Sequence, residues 1–242
     1  MIRRLILIPK SARHSGRHLI RDRGQVADLL GAALRRQGVN PHDGTDPARW
    51  GFGVVARRIR TQGPRLYAID AIHLGSSDPA IADAMARIEA PDLVLDDATP
   101  GWELDLRGAQ VHNYSQIPDG LEAINLYCVS PIRLTRRLAD GSQEDVIALA
   151  PDLNALINRT MERRFGRPFR LQLLPDRLYL RGRSSISAGF AIKSDDRGRA
   201  IVKRGIALPF TLAGPFEDLQ HAWYAGLGRT TGLGFGMLEM AS

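Results

Sequence analysis

Lysine, cysteine and long apolar runs are all scarce in this sequence, and each scarcity narrows what the chain can do. Of its 33 basic residues only Lys10, Lys193 and Lys203 are lysines, which leaves 30 arginines. GC-rich coding alone skews the ratio this way, yet planar guanidiniums with five donors also contact phosphates bidentately and stack on bases better than ammoniums do. The single cysteine, Cys128, sits in an apolar run over 126–129, so no disulfide forms within the chain and a reducing compartment suits it. No Cys/His spacing suits a metal, no Gly-x-Ser-x-Gly context suits a serine nucleophile, and Asp96-Asp97 and Asp195-Asp196 read as exposed loop residues. Neither metal nor cofactor is expected. The apolar stretch in 1–8 stops at Pro9 and Lys10, short of a signal peptide, and nothing reaches the roughly 20 apolar residues of a membrane span. The expectation is a cytoplasmic protein without a membrane partner.

At 242 residues, 44% apolar and 24% charged with a net charge of +7, the chain reads as globular, with one large domain or two of about 120 residues. Residues 4–8 read as a buried strand and 10–23 as a basic stretch. Val26, Leu29, Leu30, Ala33 and Leu34 recur at helical spacing, with Arg35, Arg36 and Gly38 as the stop. Two strands are predicted at 50–60 and 65–74, a helix opened by Asp78 and Pro79, and a strand at 102–111. The order then repeats. A long strand covers 121–138 with a turn near Pro131, and Pro151 opens a helix with Leu153, Leu156, Ile157, Thr160 and Met161 inside and Arg159, Arg163 and Arg164 toward its end. Strands follow at 177–183, 186–193 and 200–212, then a short helix from Gly214 and Pro215 and a last strand over 233–240. Two βαββαβ units result, an α+β fold of tandem ferredoxin-like domains over 1–117 and 118–242.

The segment Gly226-Leu-Gly-Arg-Thr-Thr-Gly-Leu-Gly-Phe-Gly236 has five glycines in eleven residues between a predicted helix and strand. Gly226, Gly228 and Gly232 free the backbone for φ > 0 and uncover amides, as a phosphate-cradling loop requires. Gly232, Gly234 and Gly236 would share one bare strand face. A hairpin that merely packs closely would use the same glycines. No Gly-Lys-Ser/Thr follows, which excludes a Walker loop, and the glycines precede a strand, unlike a dinucleotide fingerprint.

This segment resembles the C-terminal glycine-rich loop, G-x-G-x-x-T-x-G-x-G, of the CRISPR-associated RAMP superfamily and its repeat-cutting endoribonucleases, allowing a one-residue shift. Ser130-Pro-Ile-Arg-Leu134 with the helix ending at Arg163-Arg164 resembles the start of the family's second domain, and Leu208–Pro215 the stretch ahead of its loop. Over residues 1–117 only the order of elements is similar. Leu227-Gly228-Arg229, where a lysine is common, resembles a divergent branch such as the type IV systems.

The resemblance implies a metal-independent endoribonuclease that binds CRISPR repeat stem-loops and releases mature crRNA. The ribose 2′-hydroxyl would attack its own 3′-phosphate, leaving a 2′,3′-cyclic phosphate and a 5′-hydroxyl. Partners would be repeat RNA, crRNA and other effector-complex subunits, and the alternative is a non-catalytic subunit. Such a reaction needs in-line geometry, a base, an acid and positive charge on the phosphorane. Among six histidines, His14 and His18 stand out, interleaved with Arg13, Arg17, Arg21 and Arg23 ahead of the first helix. A solvated basic linker would have the same composition. The candidate catalytic residues are His18, His14 and Arg23, with His112, Tyr114 and His221 held in reserve. His42 reads as solvated and His73 as a core residue. For RNA binding the candidates are Arg17, Arg21, Arg35 and Arg36 together with Gly226, Gly228, Arg229, Thr230, Thr231, Gly232 and Gly234, Arg229 being the first expected phosphate contact.

Overall fold

Strand β1 (Ile2–Leu7) is the inner strand from which the first sheet grows. The computed structural model describes residues 1–15, 17–41, 47–59, 65–95, 104–114, 116–195, 197 and 199–241, apart from the side chains of 13–15. After β1 come α1 (Gly24–Arg36), β2 (Trp50–Ile59), β3 (Leu66–Ser76), α2 (Pro79–Ala86) and β4 (Gln110–Asn113). β1 lies antiparallel between β3, from Ile2↔Ser76 to Leu7↔Ala71, and β4, from Arg4↔Asn113 to Leu7↔Gln110. β2 pairs along the whole of β3. The sheet order is thus β4-β1-β3-β2.

The second sheet repeats the plan. β5 (Ala123–Cys128), α3 (Leu153–Phe165), β6 (Gln172–Pro175), β7 (Phe210–Ala213), α4 (Phe216–Ala225) and β8 (Leu238–Met240) give the order β8-β5-β7-β6, again antiparallel. These are two ferredoxin-like units in tandem. One core holds Ile6, Leu29, Leu30, Trp50, Phe52 and Ile72, the other Leu126, Ile157, Met161, Leu212 and Trp223. Each such side chain contributes about 1.5–3 kcal/mol on full burial. α1 buries Val26, Leu29, Leu30, Ala33 and Leu34, the residues its periodicity singles out.

Several element boundaries differ from the sequence reading. Residues 177–183 are not a strand, because the Asp176 side chain accepts from the amides of Leu178 and Tyr179 and starts a short helix, Arg177–Arg181. The stretch 200–212 splits: Ala200–Ile206 pairs with Ser187–Ser194 in a separate hairpin, while β7 joins the main sheet. The long strand over 121–138 ends at Cys128, and Thr135–Arg137 forms a hairpin with Gln143–Asp145. The last strand begins at Leu238, not 233. Gly234 (φ 89°) and Gly236 (φ 71°) lie in the left-handed region, so no alternating glycine face forms.

The two units meet through backbone approach. A Cβ on Gly75 of β3 would stand 2.3 Å from the Tyr224 carbonyl oxygen, and one on Gly51 of β2 2.8 Å from that of Ala225. Arg164 crosses the seam. Its guanidinium donates to the carbonyls of Ala48 (3.0 Å), Ala225 (2.8 Å), Gly226 (2.7 Å) and Gly228 (3.1 Å) and to Thr231 Oγ1 (3.1 Å), which itself donates to Trp50 O at 2.6 Å.

Candidate nucleic-acid interface

Residues 8–18 form an excursion within a strand. β1 ends at Leu7, the chain passes through a 3₁₀ turn at Lys10–Ser15, and Leu19–Ile20 returns to pair with Ala68 and Tyr67 of β3. His14 is on that turn, its side chain outside the described residues. His18 is only 5% exposed and lines a cavity of ≈ 640 Å³ with Ser11, Arg17, Asp105 and Arg107. Asp105 holds Arg17 at 3.2 Å and Arg107 at 2.7 Å, and the Arg107 hydrogen bond keeps its carboxyl far below the usual carboxylate range. Arg21 is exposed, its amide donating to Gln25 Oε1 at 2.7 Å.

Arg23 immediately precedes α1. Its amide donates to Ala191 O at 2.9 Å, and its guanidinium lies over the Phe190 ring, 5.0 Å from the centroid. Phe190 in turn stacks on Phe235 of the glycine-rich segment at 4.2 Å between centroids. The Arg23 Nη1 atom is closed off from solvent with no hydrogen-bond partner among the described residues, and burial pushes the guanidinium down to about 10. Burying a cation whose donors are not all hydrogen-bonded is costly. The described lining of the His18 cavity includes nothing from 19–36, so His18 and Arg23 occupy separate environments.

Gly226, Gly228, Gly232 and Gly234 are all buried. Around them the amides of Leu227, Arg229, Leu233, Gly234 and Gly236 bind protein carbonyls. A Cβ on Gly234 would meet the Phe52 ring at 2.9 Å, and one on Gly228 the Arg133 carbonyl oxygen at 2.6 Å. Close packing uses the glycines here. Arg229 and Thr230 are half-buried, and Thr230 adopts φ 56°, uncommon for a residue with a Cβ. Arg229 donates to Thr135 Oγ1 and to Gln143 Oε1 at 3.0 Å. Burial, then Arg133 and Arg163, lower its pKa.

Arg229, Thr230 and Thr231 line a second cavity, of ≈ 790 Å³, with Arg136, Arg137, Arg159 and Arg163. Sequence reasoning assigned none of these four arginines a role; the available signal was Arg159 and Arg163 at i, i+4 on one helix face. Arg35 and Arg36 lie at the far end of α1, about 20 Å from Arg23 for a helix of this length. Arg36 donates to Asp92 O (2.6 Å) and Val94 O (3.1 Å).

The reserve histidines differ. His221 packs against Phe165 and Phe169, and burial and Arg167 push it down to about 4. His73 lies 3.3 Å from Glu239, yet burial and Arg3 prevail and hold it near 4, neutral at physiological pH. Tyr114 is pushed up to about 12 by burial and by Glu239, whereas His112 is exposed on β4. Among the described residues no His/Cys/Asp/Glu group could hold a metal, and no helix is long and apolar enough to cross a membrane.

Residues 119–240 match the family model for the C-terminal part of CRISPR associated protein Cas6. The chain belongs to the Cas6 family. That match spans β5 to β8, so the glycine-rich segment and the arginines of the cavity fall within the matched region, while Pro47 and Ala48 of the cavity and His14, His18 and Arg23 precede it. No curated protein matches the chain. Among solved structures, the fold is similar to that of an RAMP protein described as binding different RNA substrates, at 16% identity, TM-score 0.63 and 100% of both chains covered. It is equally similar to a CRISPR associated protein Cas6, 15% identical, covering 100% of this chain and 99% of that one. A Cas6-related protein from Pyrococcus furiosus, 13% identical, also gives 0.63 and covers 100% and 98%. At these identities the likeness establishes the tandem ferredoxin-like fold.

Proposed function

We propose that this Cas6-family protein binds CRISPR repeat stem-loops and cuts them to crRNA by 2′-hydroxyl transesterification, without metal. The cut would fall beside the approach to α1. The observation that carries this is Arg23: a guanidinium with Nη1 unpartnered among the described residues, at the first turn of a helix whose amides also favour an anion. In this reading Arg23 neutralises the phosphorane and His14 or His18 takes the 2′-proton. Arg17, Arg21, Arg35 and Arg36 would draw in the phosphates, and Gly226, Gly228, Gly232 and Gly234 would hold Arg229, Thr230 and Thr231 in place. Mature crRNA and further effector-complex subunits would be its other partners.

One observation favours a second reading, a subunit that binds without cutting: His18 is almost wholly buried beside the Asp105–Arg107 pair. Incubation with repeat RNA in EDTA separates the two. A single cut that disappears with a 2′-deoxy nucleotide at the scissile position supports the enzyme. A gel shift with intact RNA supports the subunit, and cleavage of the deoxy substrate would falsify the mechanism.

A further inference from the structure

The 790 Å³ cavity is walled by α3, by the Thr135–Arg137/Gln143–Asp145 hairpin, by the glycine-rich segment and, from the first unit, by Pro47 and Ala48. α3 turns Leu156, Arg159, Thr160 and Arg163 into it, at the 3–4 residue spacing that shares a helix face. From the hairpin come Arg136 and Arg137, and from the glycine-rich segment Arg229. The only carboxylate in the described lining is Asp152, already paired with Arg136. Arg137, Arg159 and Arg163 have no acidic partner among the described residues, and burial, then Arg133 and Arg163, already depress Arg229. Several guanidiniums converging on one concave surface repel one another unless an anion intervenes. The site therefore fits phosphates.

Its size narrows the ligand further. Cavities of ~300–1,000 Å³ hold a molecule of drug dimensions, so an unpaired nucleotide fits inside this one, whereas a base-paired helix could contact it only across its open mouth. Among the described residues no aromatic ring lines it, leaving phosphate contact and arginine stacking as the means of binding, which tolerate any base. The glycine-rich segment separates it from Arg23: Thr230 and Thr231 face the cavity while Phe235 stacks on Phe190 beneath Arg23.

We infer that this cavity is a second RNA site, which takes single-stranded nucleotides flanking the hairpin through Arg137, Arg159 and Arg163. The inference rests on the proposed binding of repeat RNA and adds where an unpaired extension goes. Both helical arginines are exposed, so Arg159→Ala/Arg163→Ala should fold normally, as a thermal melt will verify. Binding is then measured across a KCl series for a bare repeat hairpin, for the same hairpin with a single-stranded extension, and for unstructured oligouridine. In the double variant, affinity for the extended hairpin and for oligouridine should fall about tenfold, and the salt slope by about two units. The bare hairpin should lose much less. Equal losses for bare and extended hairpins, or oligouridine binding like that of the wild type, overturn the inference. A wild type that binds oligouridine as tightly as the repeat hairpin overturns the repeat-specific reading instead, and leaves the cavity's role to be decided by the variant.

Discussion

The two ferredoxin-like units share one strand order but distribute arginine differently around their first helices, each 13 residues long. In the first unit, guanidiniums gather at the poles of α1: Arg21 and Arg23 before it, Arg35 and Arg36 in its last turn. In the second, Arg159, Arg163 and Arg164 fall within two turns of α3, and adjacent residues have opposite fates. Arg163 is exposed at the cavity, while Arg164, one step further around the helix, is 4% exposed and saturated by carbonyls from both units. Both line the cavity, so depth of burial, not residue type, separates the arginine that joins two domains from the one left to the opening.

The most severe way to test that separation is Arg164→Ala. It strands the inward-facing carbonyls of Ala225, Gly226 and Gly228 and the backbone at Ala48. Loss of about 3–5 kcal/mol is expected from denaturant unfolding, with Arg163→Ala changing stability by less than about 0.5 kcal/mol. Similar losses for both would dissolve the distinction.

Next in size is the first unit's chemistry. At saturating protein, single-turnover cleavage should slow roughly 10²-fold or more in Arg23→Ala and in whichever of His14→Ala and His18→Ala removes the base, with affinity little changed for the histidine. If all three cleave at the wild-type rate, the active site lies elsewhere. The exposed His112 is then the next choice, because His221 is packed between aromatic rings.

What could be read in advance follows from how local each signal is. The core positions of α1 and the capping Asp78, whose carboxylate accepts from Ile81 N at 3.2 Å, are written in short-range periodicity and capping. The Arg177–Arg181 helix was hidden because Arg-Leu-Tyr-Leu-Arg alternates like a strand, and only Asp176 reveals the turn. The glycine-rich segment was visible as a motif, but its glycines could not be told apart from a phosphate cradle. Their use is set by Ala48, Phe52 and Arg133, residues far away in sequence. The arginine cavity was invisible for the same reason, since its walls come from four separate stretches of chain.

A smaller effect concerns pH. His221 carries a folded-state pKa near 4, below its ordinary 6.5, because burial and the Arg167 cation disfavour the imidazolium. A lowered histidine pKa means the unfolded chain binds the proton more tightly. Its contribution is therefore intact above about pH 6.5 and is lost as pH falls toward 4, by about 2–3 kcal/mol at most, with Glu217 at 3.9 Å partly opposing the loss. Denaturant midpoints between pH 7 and 4 should show this slope, and His221→Gln should reduce it. An unchanged slope in the variant would move the acid sensitivity to another group.

The smallest predicted effect divides the far pole of α1. Arg36 spends both terminal nitrogens on the carbonyls of Asp92 and Val94, and the neighbouring Gln37 reaches the Asp92 carboxylate at 3.1 Å, so this pole is tied to the segment after α2. Two hydrogen bonds from a charged, exposed donor amount to about 1 kcal/mol, which Arg36→Ala should lose in a thermal melt. Arg35 has no such ties among the described residues and points outward. Arg35→Ala should leave the melt within about 0.5 kcal/mol and, if RNA runs along α1, lower the salt slope of binding by about one unit. Arg36→Ala should lower that slope by less, because its guanidinium is already engaged. Slopes unchanged from the wild type in both variants would mean that RNA does not reach this pole, and would confine the first unit's RNA contacts to the Arg21–Arg23 end.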